Sequence, residues 1–300
     1  MKTVDCAIIG GGAAGLSAAL VLGRSRRRVA VFDDNTNRNR VTQESHGFLT
    51  RDGIKPEEFR TIAIDQLEPY SSVEHFSKMV SAIERLENGS FTISAAGEEF
   101  NAEKVILATG VQETFPDIPG IRDYYGKSLY SCPYCDGWEM RDQPLVVIAE
   151  IEAHALHLGK LVYNWSENLV IASNGHRFAS ETLQEFERKN IRVKSGKIAA
   201  LEGKAGYLKK LVFEGGEELE RTGGFVVPSY YRPNPFAEQL GCELDSNGVL
   251  AMDPFGRTSV PGVYAAGENV TGGPSSLIIA AAEGSKAATA ANMELVLERY

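Results

Sequence analysis

Cysteine is scarce in this chain, with 4 among 300 residues, which excludes the disulfide-dense scaffold of a small secreted domain. Basic residues are outnumbered, 31 Lys and Arg against 40 Asp and Glu, for a formal net charge of −9. A nucleic-acid binder would need a broad cationic face, so that partner class is excluded. No apolar run is long enough to cross a bilayer. No secretory leader is expected either, because Lys2 leads into Val4–Ile9 and then directly into glycines. The expectation is a cytoplasmic protein with neither a membrane nor a nucleic-acid partner. Zinc is also poorly served. Cys6 sits in an apolar run, Cys242 stands alone, His154 and His157 have no third ligand nearby, and no second CxxC or HxxxH completes a set. No metal site is predicted.

What is present is ordinary globular material, 43% hydrophobic and 24% charged, with length enough for two domains and a sizeable core. The dense basic run, Arg24-Ser25-Arg26-Arg27-Arg28, falls where a first helix should end, and cations there complement the helix dipole. A docking patch for ferredoxin or flavodoxin is the alternative reading of that run.

Two of the four cysteines carry chemistry. Ser131-Cys132-Pro133-Tyr134-Cys135-Asp136-Gly137 sets two thiols two residues apart with a carboxylate beside the second. Such a pair interconverts between dithiol and disulfide by exchange of two electrons and two protons, with the thiolate as attacking form. A structural disulfide is disfavoured by so short a loop in a chain without secretory features.

A second motif opens the chain. Val4–Ile9 reads as a strand, Gly10-Gly11-Gly12-Ala13-Ala14-Gly15 as a turn, Leu16–Leu22 as helix, and Val29–Phe32 as a second strand ending at Asp33-Asp34. That order is the dinucleotide-binding βαβ unit. Gly10 makes the tight turn, Gly12 lets backbone approach a pyrophosphate, and Gly15 lets helix and strand pack closely. The helix start supplies N–H donors and partial positive charge, and Asp33 or Asp34 is placed to hold a ribose hydroxyl. Further on, Val105–Leu107 reads as a strand running into Ala108-Thr109-Gly110. Near the end Val260–Ala266 leads to Gly267-Glu268, and Ser275 is a plausible N-cap for an Ala-rich helix over Leu277–Met293.

These pieces together resemble the low-molecular-weight thioredoxin reductases of the two-dinucleotide-fold flavoprotein family, over essentially the whole chain. The resemblance implies an α/β fold of two Rossmann-like, three-layer dinucleotide-binding domains, the second inserted in the first. The FAD-binding domain would comprise 1–113 and 242–300. The insertion, 114–241, would be NAD(P)H-binding-like and carry the CxxC motif, with crossings near Gln112–Gly120 and Tyr231–Gly241. FAD would lie on Gly10, Gly12, Ala13, Ala14, Gly15, Asp33, Asp34, Ala108, Thr109, Gly110, Gly267, Glu268, Ser275 and Ser276. Glu268 replaces the family's usual Asp, and Ser275-Ser276 stand where the family has an Arg-Gln pair. The helix that follows could aim its N-terminus at the negative charge of a reduced flavin. Cys135 would face the flavin, Cys132 would exchange with the partner, and Asp136 would serve the departing thiol as proton donor or acceptor. Ser45-His46-Gly47-Phe48-Leu49-Thr50-Arg51-Asp52-Gly53 resembles the branch that contains small-molecule dithiol oxidases.

The family's second nucleotide turn should follow Leu145–Ile148, and here it is degenerate. Ala149-Glu150-Ile151-Glu152-Ala153-His154 places a branched side chain and two carboxylates where phosphate must approach. After Leu169–Ala172 only His176-Arg177 stand near the place of the family's 2′-phosphate ligands. NADPH is therefore not expected as the donor. Ferredoxin, flavodoxin, a second flavin or residual NAD(P)H could supply electrons to a thioredoxin-like protein or small disulfide. Alternatively a small dithiol would be oxidised at the expense of oxygen. A non-catalytic flavin redox sensor is a third reading. A homodimer is expected, with limited mobility at Pro116, Pro119, Pro233 and Pro235.

Overall fold

The computed structural model describes residues 2–246, 248–270 and 276–300. In chain order the first stretch runs β1 (Lys2–Ile9), α1 (Ala13–Arg24), β2 (Val29–Phe32), α2 (Pro56–Asp65), β3 (Val73–Phe76), β4 (Val80–Arg85), β5 (Phe91–Ala95) and β6 (Glu98–Leu107). The middle contains β7 (Gln112–Thr114), α3 (Ile121–Tyr124), β8 (Leu129–Tyr130), α4 (Pro133–Asp136), β9 (Leu145–Ile148), α5 (Glu152–Val162), β10 (Leu169–Ala172) and α6 (Ser180–Glu187). It continues with β11 (Arg192–Lys194), β12 (Ile198–Lys204), β13 (Tyr207–Phe213), β14 (Glu218–Glu220), β15 (Gly223–Val226) and β16 (Ser229–Tyr231). The end comprises α7 (Phe236–Gln239), β17 (Val263–Ala265) and α8 (Leu277–Arg299). The described residues form two units, one of Met1–Arg40, Gly47–Gln112 and Tyr230–Tyr300, the other of Val41–His46 and Glu113–Ser229. The second unit's share of the early chain, residues 41–46, has no counterpart in the sequence reading.

The first unit is built on a sheet in the order β3-β2-β1-β6-β5-β4, with β17 also against β6. Strands β1, β2 and β3 are parallel, as are the pairs β1–β6 and β6–β17. The run of full burial along β2 and the second half of β1 is what a strand covered on both faces requires. One face packs on α1 and α8 through small side chains such as Ala18, Ala19, Ala287 and Ala291, while the second core gathers Phe91 and Ile93 of β5 and Phe100 of β6 with Phe236 and Ala237 of α7.

The sequence pattern suggests separate strands around Phe100–Ala102 and Val105–Leu107, but the chain makes one strand of both. Lys104, between those two runs, is only 5% exposed. Its ammonium is held by Glu294 at 2.8 Å and Glu298 at 2.6 Å from α8. Pairing with two carboxylates offsets the cost of burying the charge, so β6 continues through it. Its first half pairs antiparallel with β5 and its second half parallel with β17.

The basic run after α1 is largely spoken for. Arg24 donates to Tyr70 at 2.8 Å, Arg27 to Asn292 at 2.6 Å, and Arg28 to the buried Asp5 at 3.0 Å. These contacts anchor the run to the first unit, while Arg24, Arg26 and Arg28 stay exposed.

The second unit has a five-stranded parallel sheet, β11-β10-β9-β15-β8, and a separate antiparallel ribbon, β12-β13-β14. Parallel strands β9 and β10 are apolar and fully buried. One core lies between this sheet and the ribbon, around Val146, Ile148, Leu211 and Phe213, and the other beneath α5 and α6, around Val147, Leu158, Ile171 and Phe186. Among the described residues no helix is long and apolar enough to cross a membrane.

Candidate functional site

The glycine turn of the first unit has the geometry its sequence requires. Gly10 has φ +110°, and a Cβ there would come within 2.2 Å of the Ala108 carbonyl oxygen. A Cβ on Gly15 would lie 1.8 Å from the Gly10 carbonyl oxygen. Both positions therefore exclude any side chain, and together they press the start of α1 against the ends of β1 and β6. Gly12, the N-cap of α1, differs. A Cβ there would meet no atom within 4 Å, so the space over the helix N-terminus is open. Ala13 and Ala14 follow with short buried side chains, and first-turn N–H groups have no partner within a helix. This is a cradle suited to a pyrophosphate.

The acidic end of β2 resolves into two different residues. The Asp33 carboxylate is 6% exposed and ion-paired to Arg60, and accepts a hydrogen bond from the Asn35 N–H at 3.1 Å. It fills the place where a side chain on Gly11 would be, 2.5 Å from a Cβ built there, so Gly11 answers to Asp33 rather than to a cofactor. Burial alone would raise this carboxyl, but His75, Arg60 and the Asn35 N–H outweigh it and hold it below the ordinary range. Asp34 instead turns outward and accepts from the Thr36 hydroxyl at 2.6 Å and N–H at 3.1 Å. Beside Asp33, Arg60 Nε and His75 Nε2 are buried without a hydrogen-bond partner, His75 Nε2 standing 3.9 Å from the Asp33 carboxylate. Orphaned buried donors next to an acid at the end of the second strand are what an absent ribose and adenine would complete. The residues of this unit fit a dinucleotide.

Three further segments meet the cradle. Ala108-Thr109-Gly110 follows β6, with Ala108 against Gly10 and Gly110 at φ +62° over open space. Gly267, at φ +80°, would bring a Cβ within 3.1 Å of the Ala14 Cβ, and its N–H donates to Glu283 at 2.9 Å. Burial pushes the Glu283 carboxyl upward. The Glu268 carboxylate is held by one edge of the Arg38 guanidinium, through Nε at 2.8 Å and Nη2. Helix α8 starts at Leu277 with Ser276, not Ser275, as N-cap, and Ser275 lies outside the described residues. Gly284 lets α8 touch α1, since a Cβ there would sit 1.9 Å from the Ala14 carbonyl oxygen. Arg38, Arg60, His75 and Glu283 carry no motif. A charged residue in an apolar-spaced helix or strand, as at Arg60 and His75, is the faint signal they leave.

In the second unit Cys132 and Cys135 form a disulfide across the first turn of α4, their Cα atoms 5.3 Å apart. Cys132 is the N-cap and Pro133 the first helical residue, a placement proline favours because its missing N–H would be unpaired there. The N–H groups of Cys135 and Asp136 both point at the Cys132 carbonyl, at 3.1 and 3.2 Å. Gly137 lets the turn lie on Trp165, whose ring would be 2.8 Å from a Cβ. Tyr134 and Trp138 are exposed beside the pair. The Tyr130 hydroxyl donates to the Lys127 carbonyl at 2.7 Å, and burial first, then the charges of Asp136, Tyr207 and Glu139, push its phenol upward. Ahead of Cys132, the Tyr125 hydroxyl lies 2.9 Å from the Ser131 hydroxyl and donates to the Glu113 carboxylate at 2.6 Å. His46 stands between Glu139 and Glu44, its Nε2 at 3.6 and 3.7 Å from their carboxylates. By contrast Cys6 is fully buried, and burial pushes its thiol far up, while Cys242 is raised for the same reason. Neither is a nucleophile.

The turn after β9 is arranged differently from the one after β1. Ile151, the N-cap of α5, is 58% exposed. Glu150 accepts from the Asn174 amide at 2.8 Å, and Glu152 accepts from the Ala179 N–H at 3.1 Å, at the start of α6. Next to it a cavity of about 120 Å³ is bordered by Phe115, Pro116, Glu150, Ile151, His154 and Val227. That is well below the roughly 300–1,000 Å³ of a small-molecule site. His176 and Arg177 are exposed loop residues, and no group of metal-binding side chains occurs among the described residues.

Comparison with known proteins agrees with this geometry. Residues 4–284 match the family model for pyridine nucleotide-disulphide oxidoreductases. The crystal structure of TrxB from Bacillus anthracis is 56% identical with a TM-score of 0.97, covering 99% of this chain and 100% of that one. Thioredoxin reductase tcpT of Claviceps purpurea is 35% identical over 89% of this chain and 86% of its own length. Thioredoxin reductase aclD of Aspergillus oryzae is 32% identical over 88% of each. The chain thus belongs to the pyridine nucleotide-disulphide oxidoreductase family, as a thioredoxin reductase-like flavoprotein enzyme that acts on disulfides.

Proposed function

We propose that this enzyme passes two electrons between FAD and the Cys132–Cys135 pair, and that its other redox partner is not NADPH. The observation that carries the reading is the disulfide across the first turn of α4, directly followed by Asp136. Gly10, Gly12, Ala13, Ala14 and Gly15 would hold the pyrophosphate. Asp33 with Arg60 and His75 would hold the adenosine end, and Ala108, Thr109, Gly110, Gly267, Glu268 and Ser276 would border the flavin half. FAD, when bound, supplies the two-electron store. The protein's own part is done by thiols and a carboxylate. Cys132 exchanges with the substrate sulfur, Cys135 accepts or donates electrons on the flavin side, and Asp136 holds or returns the proton of the departing thiol.

Support for a donor other than NADPH comes from the turn after β9. Ile151 stands where backbone must approach phosphate, and the Glu150 and Glu152 carboxylates are tied across the turn. Ferredoxin, flavodoxin or a second flavin could then feed electrons toward a thioredoxin-like protein or small disulfide. The same closed turn favours a second direction, in which a small dithiol is oxidised and oxygen takes the electrons. We place the enzyme in the cytoplasm as a homodimer, a setting that suits the two unpaired buried thiols, Cys6 and Cys242.

The decisive experiment mixes the yellow holoprotein anaerobically with NADPH, NADH, dithiothreitol and reduced ferredoxin in parallel. Bleaching by dithiothreitol in the wild type and its loss in Cys135→Ser are expected. Dithiol-driven bleaching at the wild-type rate in Cys135→Ser would remove the assignment. Sedimentation as a monomer would remove the homodimer.

A further inference from the structure

We propose that Tyr134 and Trp138 are specificity-determining residues that seat the flat apolar body of a small, uncharged dithiol, or of its cyclic disulfide, while its sulfurs exchange with Cys132. This rests on the thiol-exchange reading above and names its substrate class. Tyr134 lies between the two cysteines, and helical backbone continues past α4 into Gly137, which has φ −69° and ψ −33°. Residues three and four apart on such a turn share a face, so Trp138 lines up with both Cys135 and Tyr134. Tyr134 and Trp138 are 76% and 65% exposed, yet both rings are braced. Tyr134 stands edge-on to Trp165 with ring centroids 5.7 Å apart, and Trp165 is itself pressed against Gly137. Over Trp138 the Arg141 guanidinium lies 4.1 Å from the ring centroid, and it donates to the Trp138 carbonyl at 2.7 Å. One face of the indole is thereby covered by the protein's own cation.

What covers these rings follows from where they stand. When a dithiol is oxidised, one of its sulfurs attacks Cys132 Sγ, the Cys132–Cys135 bond breaks, and Cys135 leaves with the electron pair. The second substrate sulfur then attacks the first, Cys132 leaves, and the substrate departs as a cyclic disulfide. Two electrons and two protons pass from substrate to the cysteines, and the reverse reaction retraces the path. In the mixed-disulfide stage the substrate's body is tethered to the residue that caps the turn carrying both rings. A planar apolar body can stack there at little ordering cost, because the rings are already held. Two aromatic side chains offer roughly 150–250 Å² each at full burial, well short of the roughly 800 Å² that a protein partner covers. Charge narrows the class further. Asp136, Glu139 and Asp142 stand on this stretch against Arg141 alone, so an anionic thiol is repelled.

The test compares two neutral dithiols that close the same size of disulfide ring, aliphatic dithiothreitol and aromatic o-xylylenedithiol. Oxidised holoprotein is mixed anaerobically with each and quenched with an alkylating agent, and the labelled Cys132 and Cys135 are counted by mass spectrometry over time. Each rate is divided by that of the same dithiol with free hydroxyethyl disulfide, which removes the difference in intrinsic reactivity. The wild type should favour the aromatic dithiol by roughly 10-fold. Combining Tyr134→Ala with Trp138→Ala should bring the ratio near unity. Trp138→Ala alone, which leaves Tyr134 on Trp165, should lose part of the preference, and Trp138→Phe should keep most of it. A wild type without preference would overturn the proposal, as would a double variant that retains it, including one in which both rates fall by the same factor. So would an equal slowing of exchange with reduced thioredoxin, since the rings would then dock a protein. If neither dithiol opens the wild-type disulfide, it is the underlying thiol-exchange reading that fails.

Discussion

Glu150 accepts a hydrogen bond at 2.8 Å from the side-chain amide of Asn174, and Asn174 in turn accepts one at 2.9 Å from the Ile198 N–H. The turn after β9 is thereby tied to the turn after β10 and to the ribbon strand β12. In a dinucleotide fold those two turns flank the cofactor, one under the pyrophosphate and the other at the ribose. Here they are bound to each other.

NADPH should consequently bind and reduce the enzyme poorly. Losing several charge-assisted phosphate hydrogen bonds, at roughly 1.5–3 kcal/mol each, weakens binding by orders of magnitude. Stopped-flow mixing with micromolar NADPH should leave the flavin band unchanged over the time in which dithiothreitol bleaches it. Combining Glu150→Gly with Ile151→Gly should cost some stability, because the bond to Asn174 is lost. Rapid stoichiometric bleaching of the wild type by NADPH would show that the tie opens.

The two glycines of the first turn separate folding from cofactor binding. Gly15→Ala drives a methyl to 1.8 Å from the Gly10 carbonyl, so α1 must move, and lowered melting temperature together with lost flavin is expected. Gly12→Ala meets nothing within 4 Å. The apoprotein should melt within a degree or two of the wild type while FAD affinity falls, read by fluorescence titration of the stripped protein. Equal FAD affinity in Gly12→Ala would mean that the pyrophosphate lies elsewhere.

Much of this was legible in the residues themselves. Strands β2, β9 and β10 are continuous apolar runs, and they occur within the bounds their patterns suggest. The glycine turn and the CxxC motif are local in sequence, so spacing alone describes them. Contacts made over long separations leave no such mark. Glu268 meets Arg38 across 230 positions, and Asp33 meets Arg60 and His75 from different elements. The partners of Lys104, Glu294 and Glu298, are likewise 190 and 194 residues away. The segment 41–46 follows β2 in sequence, yet in the fold it belongs to the cysteine-bearing unit.

Lys104 gives a test of how its ion pairs act. Its ammonium is 6% exposed and is bound by two carboxylates of α8. Removing both with Glu294→Ala and Glu298→Ala strands a buried charge, and a loss of roughly 3 kcal/mol is expected. Lys104→Met replaces the charge with an apolar chain of similar length and should fall within about 1 kcal/mol of the wild type. Urea denaturation of the two variants side by side reads the difference. A large loss in Lys104→Met would mean that the ion pairs themselves, rather than the avoidance of a stranded charge, stabilise α8 against the sheet.

Asp5 ties the two ends of the first unit together and should govern part of its acid stability. Its buried carboxylate receives the Arg28 N–H at 2.8 Å, the Arg28 guanidinium at 3.0 Å and Arg299 of α8 at 2.9 Å. Burial by itself would raise the carboxyl, but these donors outweigh it and hold it below the ordinary value of 3.8. A carboxyl lowered in the folded state contributes stability that is fully present above the unfolded value. That stability is lost as pH falls from 3.8 through the lower folded value. Asp5→Asn cannot ionise, so its stability should fall less steeply than the wild type's below about pH 4. At neutral pH it should be weaker by about 1–2 kcal/mol, a modest figure because both arginines are half exposed. Urea midpoints measured from neutral pH down to pH 3 would show the two curves converging in acid. Parallel curves would mean that Asp5 is protonated alike in the folded and unfolded chains, and that its contacts are structural without being linked to pH.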